Sequence, residues 1–322
     1  MSKIFLFQTK VLTALTVCAR FASFSSQKHS GVIRWVLSNA AYIGAGDHLI
    51  TLTAPTSGNL PYGVLLPHEI MGDVTSLESG LEVEFTPGSL RIPHRHLIID
   101  FSNAARWFPK TFETTQMRAE RIEANLSTLE NALLRVKGGD GLAGVARHMA
   151  RLPYVSESVG LNHYSRKALP ILGRVMFLWK SGQLLEAIVE SGGLLGLGPG
   201  LTPSGDDFLL GMMAALQKLR HVFPALGPRL RLVNNYMCSC QLNSTNEISA
   251  AFLRQAQAGL FPEKLIDLIV SLVRSPIRDT SSLLNDLSKL GATSGTDMAT
   301  GLLFGGYLVL SLQAERSCSA FR

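Results

Sequence analysis

From Val32 to about Phe101 the apolar positions come in short runs separated by turn residues: Tyr42–Thr53, Tyr62–Leu66 and Leu81–Ile92. Runs of that length, bounded by Gly, Pro, Asn and Ser, predict strands. Inside the last run, Pro87-Gly88 suits a tight turn, with Pro fixing φ and Gly accepting φ > 0, so Glu82–Phe85 and Leu90–Ile92 are expected to pair as a hairpin. After Pro109 the period changes. Met117, Ile122, Leu126, Leu129 and Leu133 recur at helical spacing among the charged residues of Glu113–Val136. Further helices are expected at Leu142–Leu152, Ser165–Lys180, Leu184–Glu190, Asp206–Val222, Asn246–Ala258, Pro262–Arg274, Thr280–Lys289 and Thr296–Leu312. Gly138-Gly139-Asp140-Gly141 reads as a flexible joint within this half. The pattern as a whole predicts an α+β protein, with a β-rich domain over residues 1–110 and a helical domain over 111–322.

Within the helical half, Ser-Gly-x-Asp-x-x-x-Gly occurs twice, as Ser204-Gly205-Asp206-Asp207 through Gly211 and as Ser294-Gly295-Thr296-Asp297 through Gly301. On a helix, Ser204, Asp207, Gly211 and Ala215 share one face, and so do Ser294, Asp297, Gly301 and Gly305. Ser and Asp suit a helix start, where they accept hydrogen bonds from unpaired backbone N–H groups. The interior glycines serve no such purpose. Each costs on the order of 1 kcal/mol relative to alanine, which points to a close backbone approach. If the two helices pack side by side with the same polarity, their Ser/Asp ends meet; an antiparallel pair would separate them.

The segment Gly192–Asp207 is a glycine-rich loop running into a helix. Loop N–H groups near Gly198 and Gly200, with those at Ser204 and Gly205, suit a phosphate or carboxylate. Asp206 and Asp207 would compete for the same donors, so Asp207 and Asp297 are left to cap, to bind an NH2 group or to hold a cation. A plain helix start, with Thr202 or Ser204 as N-cap and Pro203 in the first turn, explains the first copy alone equally well. The loop lacks the Gly-Lys-Ser/Thr ending of a Walker loop and is not a Gly-x-Gly-x-x-Gly fingerprint. Ser244–Ser249 reads as a capped helix start with Ser249 facing inward. His94-Arg95-His96 is expected in a strand, both rings on one face, a spacing seen in zinc sites but with no carboxylate or cysteine nearby in sequence.

Composition narrows the classes. The 322 residues are 46% hydrophobic and 17% charged, enough for one large or two smaller cores. The net charge of +6 comes from scattered basic residues with few aromatics between them, so nucleic acid is disfavoured while small anions remain compatible. Met298–Gln313 is shorter than the roughly 20 apolar residues of a membrane span. Lys10 and Arg20 flank Val11–Ala19, and without a clear Ala-x-Ala site this stretch is read as folded, implying a cytoplasmic protein. Four cysteines, Cys18, Cys238, Cys240 and Cys318, show no paired metal spacing and fit a reducing compartment.

The segment GLGPGLTPSGDD (Gly196–Asp207), with Thr293-Ser294-Gly295-Thr296-Asp297, resembles a bacterial family that includes the AllH subunit of oxamate carbamoyltransferase. The likeness extends to a β-rich N-terminal part with His29-Ser30 near its start and to the Thr245–Ser249 stretch. It implies a subunit of a multi-protein enzyme that moves a carbamoyl group between oxamate and phosphate, with partner subunits and small anionic substrates: phosphate, oxamate and oxalurate. On that reading the catalytic set is Asp207, Asp297, Ser204 and Ser294. The substrate-binding set is Gly198, Gly200, Thr202, Gly205, Asp206, Thr245 and Gly295. No cofactor is required, although the carboxylates leave room for Mg2+. Two rival expectations are a non-catalytic structural subunit and a stand-alone metal-dependent enzyme acting on an amide.

Overall fold

A computed structural model describes residues 9–26, 29–110, 117–136, 139–155, 159–273 and 280–319, with side chains except at 238–241 and 316–319. Residues 113–116, Gly138 and Arg274 of the sequence expectations therefore lie outside the described residues, as do the side chains of Cys238, Cys240 and Cys318. The architecture is α+β, and the chain divides into two compact units, Met1–Lys110 and Thr111–Arg322.

Among its described residues the first unit has ten strands: β1 (Lys10–Thr13), β2 (Thr16–Cys18), β3 (His29–Val36), β4 (Ala40–Ala45), β5 (His48–Thr53), β6 (Gly63–Leu65), β7 (Glu82–Thr86), β8 (Ser89–Ile92), β9 (Leu97–Asp100) and β10 (Ala105–Trp107). They form one sheet in the order β1-β9-β8-β7-β3-β4-β5-β6-β2-β10. Two short helices, α1 (Ala19–Phe24) and α2 (Met71–Thr75), accompany it. Alternate residues such as Ile33, Ile43, Ile50, Leu52, Val83 and Phe85 enter one core, which also takes Phe21 from α1 and Phe101. The hairpin expected at Pro87-Gly88 is present, with Phe85 opposite Leu90 and Gly88 at φ 81°. The Tyr42–Thr53 run is two paired strands, because Gly46 at φ 56° turns the chain within it. Val11–Ala19, ambiguous in sequence, supplies strand residues: β1 pairs with β9, and β2 lies between β6 and β10. The His94-Arg95-His96 expectation is corrected. Pro93–Arg95 form a 3-10 turn and His96 takes a left-handed conformation, φ 46°, so the two histidines do not share a strand face. Proline cannot donate to a ladder, and the turn lets β8 double back onto β9.

The second unit is helical: α3 (Ala119–Leu133), α4 (His163–Lys180), α5 (Leu184–Ser191), α6 (Ser204–Leu219), α7 (Gly227–Gln241), α8 (Glu247–Gln257), α9 (Glu263–Val273), α10 (Thr280–Ser288) and α11 (Ser294–Ser319). The helix expected at Leu142–Leu152 is instead a 3-10 segment, Ala143–Arg151. Nothing in the apolar pattern announced α7, whose period is interrupted by Arg229, Arg231, Asn234 and Asn235.

α6 and α11 form the centre of this unit. In α6 every residue except Lys218 is buried, which fits a helix apolar nearly all round. A Cβ on Gly211 would lie 1.9 Å from the Met298 carbonyl oxygen, and one on Gly301 would lie 1.8 Å from that of Phe208. A Cβ on Gly305 would meet Ala215 Cβ at 2.7 Å. The paired positions advance together along both helices, so the helices run in the same direction with their backbones touching. Two polar side chains inside the unit find backbone partners: Trp179 Nε1 donates to Leu308 O at 2.8 Å and Asn125 Nδ2 to Leu272 O at 2.7 Å. No helix among the described residues is long and apolar enough to cross a membrane.

Candidate functional site

Parallel packing of α6 and α11 places the two Ser-Gly-x-Asp starts together. α6 begins at Ser204, with Pro203 at the N-cap position and no side-chain cap. This corrects the expectation that Thr202 or Ser204 caps the helix. Their hydroxyls turn to the other motif instead: Thr202 Oγ1 lies 3.0 Å from Ser294 Oγ, and Ser204 Oγ lies 3.4 Å from Thr293 Oγ1. The arrangement is reciprocal. Ser294 and Thr202 face the Asp207 carboxyl, while Ser204 and Thr293 face that of Asp297. Gly205 and Gly295 occupy matching positions as well. A Cβ on either would come within 1.9 Å of a carbonyl oxygen, Leu194 O or Leu287 O, from the segment leading into its helix.

Both carboxylates are out of solvent, Asp207 at 4% and Asp297 at 0% exposure. Burial disfavours the charged form and pushes Asp207 well above the ordinary carboxylate range, helped by the negative charge of Asp297 and opposed by the Ser294 and Thr202 hydroxyls. Burial also raises Asp297, to about 6, against hydrogen bonds from Leu142, Ser204 and Thr293. One oxygen of each, Oδ2, is buried without a hydrogen-bond partner. Of the two, Asp207 is thus pushed further toward its protonated form, in part by the charge of Asp297. Buried carboxylate oxygens are ordinarily satisfied, so an orphan on each of two interacting carboxyls requires an explanation.

Asp297 Oδ1 is used: it accepts from Leu142 N at 2.6 Å. Leu142, expected to open a helix, instead ends a strap whose preceding residues, Gly139–Gly141, sequence patterning had read as part of a flexible joint. The strap is held in place by Asn162 Nδ2, which donates to Gly139 O at 2.8 Å and to Gly141 O at 2.7 Å, and by Ser165 Oγ, which donates to Gly141 O at 3.0 Å. A Cβ on Gly141 would lie 2.5 Å from Asp297 Oδ1, so the glycine is what lets the strap cover the carboxylate. Gly141, Leu142 and Thr293 were absent from the sequence-derived set. Only the Gly-Gly-Asp-Gly run hinted at the strap.

Asp206 points elsewhere. It accepts from Gly196 N at 2.9 Å and from Thr245 Oγ1, tying the glycine loop to the start of α8. Asn246 caps α8 by accepting from Ser249 N at 3.0 Å, and its Nδ2 donates to Leu201 O at 2.9 Å. Thr245 and Asp206 thus brace the loop, and Ser249 faces inward, 2% exposed. Gly196, Gly198 and Gly200 all have positive φ, at 71°, 122° and 95°. A Cβ on Gly198 would lie 2.7 Å from Ser204 N, so the loop folds directly over the helix start. Gly205 N is consumed by Leu197 O at 2.8 Å. Asp206 N and Asp207 N reach Pro203 O.

Among the described residues no group of three or more His, Cys, Asp or Glu side chains converges as a metal site. A Mg2+ ion here would have to take its ligands from the two carboxylates, the hydroxyls and water.

The proton balance of Asp297 can be read from stability. A carboxyl whose pKa is higher folded than unfolded binds more protons in the folded state between the two values, so stability falls as pH rises through that window. For Asp297 the window runs from 3.8 to about 6. The full effect, at about 1.4 kcal/mol per unit, is on the order of 3 kcal/mol. The Asp297→Asn variant should therefore gain on the wild type by roughly 2–3 kcal/mol between pH 4 and pH 7 in denaturant unfolding. A difference that stays constant across that range would mean Asp297 titrates normally.

A family model described as oxamate carbamoyltransferase subunit AllH matches residues 194–306, the stretch from the glycine loop through both helix starts. A second, described as the AllH family N-terminal domain, matches residues 13–106. No solved structure matches the chain.

Proposed function

Since the chain belongs to the AllH family, we propose that it is a subunit of a carbamoyltransferase complex converting oxalurate and phosphate to oxamate and carbamoyl phosphate, with its carbamoyl group held by Asp207 and Asp297. The observation that carries this reading is the buried pair of carboxyls, each with an oxygen lacking a partner. A carbamoyl group offers one acceptor, its oxygen, and NH2 donors. The protonated form of Asp207, which burial favours, would donate to the oxygen, and an ionised Asp297 would accept from the NH2, so the two carboxyls complement the group.

In the reaction a phosphate oxygen attacks the carbamoyl carbon, the bond from that carbon to the oxamate nitrogen breaks, and that nitrogen takes up a proton. Negative charge develops on the carbamoyl oxygen, where the Asp207 proton is placed to stabilise it. N–H groups of Gly198, Gly200 and Ser204 suit the phosphate or the substrate carboxylate. Ser204, Ser294 and Thr202 orient the pair through hydroxyl contacts. Thr245 and Asp206 support the loop, and Gly205 and Gly295 permit close packing at each helix start. Entry to so buried a pair requires the strap at Gly139–Leu142 or the loop at 196–202 to open.

A structural subunit is the second reading. In its favour, the packing distances at Gly205, Gly211, Gly295 and Gly301 account for the repeated glycines without any ligand. Packing does not account for two unpartnered buried carboxylate oxygens. Co-purification from the native source, followed by an assay of carbamoyl phosphate formed from oxalurate and phosphate, separates the readings. The complex is expected to turn over and the chain alone is not. Turnover by the isolated chain that is lost on chelation would favour the stand-alone metal enzyme, and a partner complex fully active without this chain would reduce it to a scaffold.

A further inference from the structure

The two helix starts repeat one another, but their carboxyls are not held alike. Asp207 meets the hydroxyls of Ser294 and Thr202, and Asp297 those of Ser204 and Thr293. A hydroxyl can donate to a carboxylate or accept from a carboxylic acid, so these contacts suit either protonation state. Asp297 has, in addition, a partner of another kind: Leu142 N, which donates to its Oδ1 at 2.6 Å. A backbone N–H can only donate. It binds Oδ1 as an acceptor and leaves Oδ2 as the oxygen without a partner. The strap thus breaks the symmetry of the duplication, and whatever holds the strap decides how the two carboxyls differ.

Asn162 does so with every polar atom of its side chain. Its Oδ1 accepts from Ser165 N at 2.7 Å and caps α4, while Nδ2 donates to Gly139 O at 2.8 Å and to Gly141 O at 2.7 Å, the carbonyl just before Leu142. A plain capping role explains only the oxygen. Ser or Asp caps a helix as well as Asn does, so what the amide adds is its donor side. Ser165 Oγ supports the same Gly141 carbonyl at 3.0 Å and is itself buried. A Cβ on Gly141 would lie 2.5 Å from Asp297 Oδ1 and 2.9 Å from Thr293 Cβ, so the strap sits tight against the second helix start. Movement away from it is resisted by the Asn162 and Ser165 bonds.

We propose that Asn162 is a positioning residue of the carboxylate site: by holding the strap it keeps Leu142 N–H on Asp297, so that Asp297 accepts from the NH2 of the bound group while Asp207 donates. The nature of that group rests on the carbamoyl reading above; the hold on Asp297 does not. The test compares the wild type with Asn162→Ser, which keeps a capping oxygen but has no amide to span both carbonyls, and with Asn162→Asp, which keeps the cap and the shape but loses the donor. In the full chain, amide hydrogen exchange at Leu142 should quicken by about tenfold or more in both variants, while amides in the interior of α6 keep their wild-type rates. In the reconstituted complex, KM for oxalurate should rise by about tenfold, the scale of one hydrogen bond to a charged group. A variant that had merely lost folded protein would lower kcat and leave KM alone. Unchanged exchange at Leu142 would overturn the proposal, and so would faster exchange with KM at its wild-type value. If the wild-type complex does not turn over oxalurate, the carbamoyl reading falls, and the exchange result alone decides whether Asn162 holds Asp297.

Discussion

Gly211→Ala and Gly301→Ala are each expected to destabilise the helical unit by about 3 kcal/mol or more, at the upper end of the cost of overpacking. The added Cβ would lie 1.9 Å or 1.8 Å from a carbonyl oxygen of the facing helix, and that oxygen is backbone, unable to swing aside as a side-chain tip could. Relief requires α6 and α11 to separate, which would loosen the contacts of both helices at once. Gly227→Ala is the matched control. It stands in helical conformation at the start of α7 with nothing within 4 Å of its Cβ, so it should be neutral or slightly stabilising. Denaturant unfolding of the three variants checks this. A Gly211→Ala protein as stable as the Gly227→Ala control would mean that the helices do not meet through their backbones.

The fold class was legible in the sequence because the two halves differ in period, and the Pro87-Gly88 hairpin was legible because its turn residues allow few alternatives. Helices with a clean apolar stripe, such as Ser165–Lys180, were bounded to within two residues. Those without one were lost or mistyped: α7 has charged and amide residues across its stripe, and Ala143–Arg151 is 3-10. The duplication was legible in the spacing of Ser, Asp and Gly, and so was the possibility that its two ends meet. Which hydroxyl serves which carboxylate was not, since the exchange between Ser204 and Ser294 is a property of the packed pair. The strap was hidden for a different reason. Gly141 and Asp297 are 156 positions apart in the chain, and glycine runs read as flexible until a donor such as Asn162 is seen to pin them.

Asp207→Asn and Asp297→Asn should each cut turnover of the assembled complex by about 100-fold or more, the size of effect found when an acid, a base or an oxyanion donor is removed. Stability should not fall at neutral pH, and for Asp297→Asn it should rise as the cost of the buried charge is removed. Asn has nearly the shape of Asp, its oxygen can still accept from Leu142 N in place of Asp297 Oδ1, and at Asp207 it replaces a group whose protonated form burial favours. What Asn cannot do is exchange a proton. An Asp207 amide also leaves Asp297 without an acidic neighbour to complement a carbamoyl oxygen and NH2 together.

The most direct test is carbamoyl phosphate formation from oxalurate and phosphate by the reconstituted complex, measured for wild type, Asp207→Asn and Asp297→Asn beside the melting temperature of each preparation. If the two helix starts form one carbamoyl site, both variants lose turnover by at least about 100-fold while melting no more than about 2 °C below the wild type at pH 7. Near-wild-type turnover in both variants would contradict it.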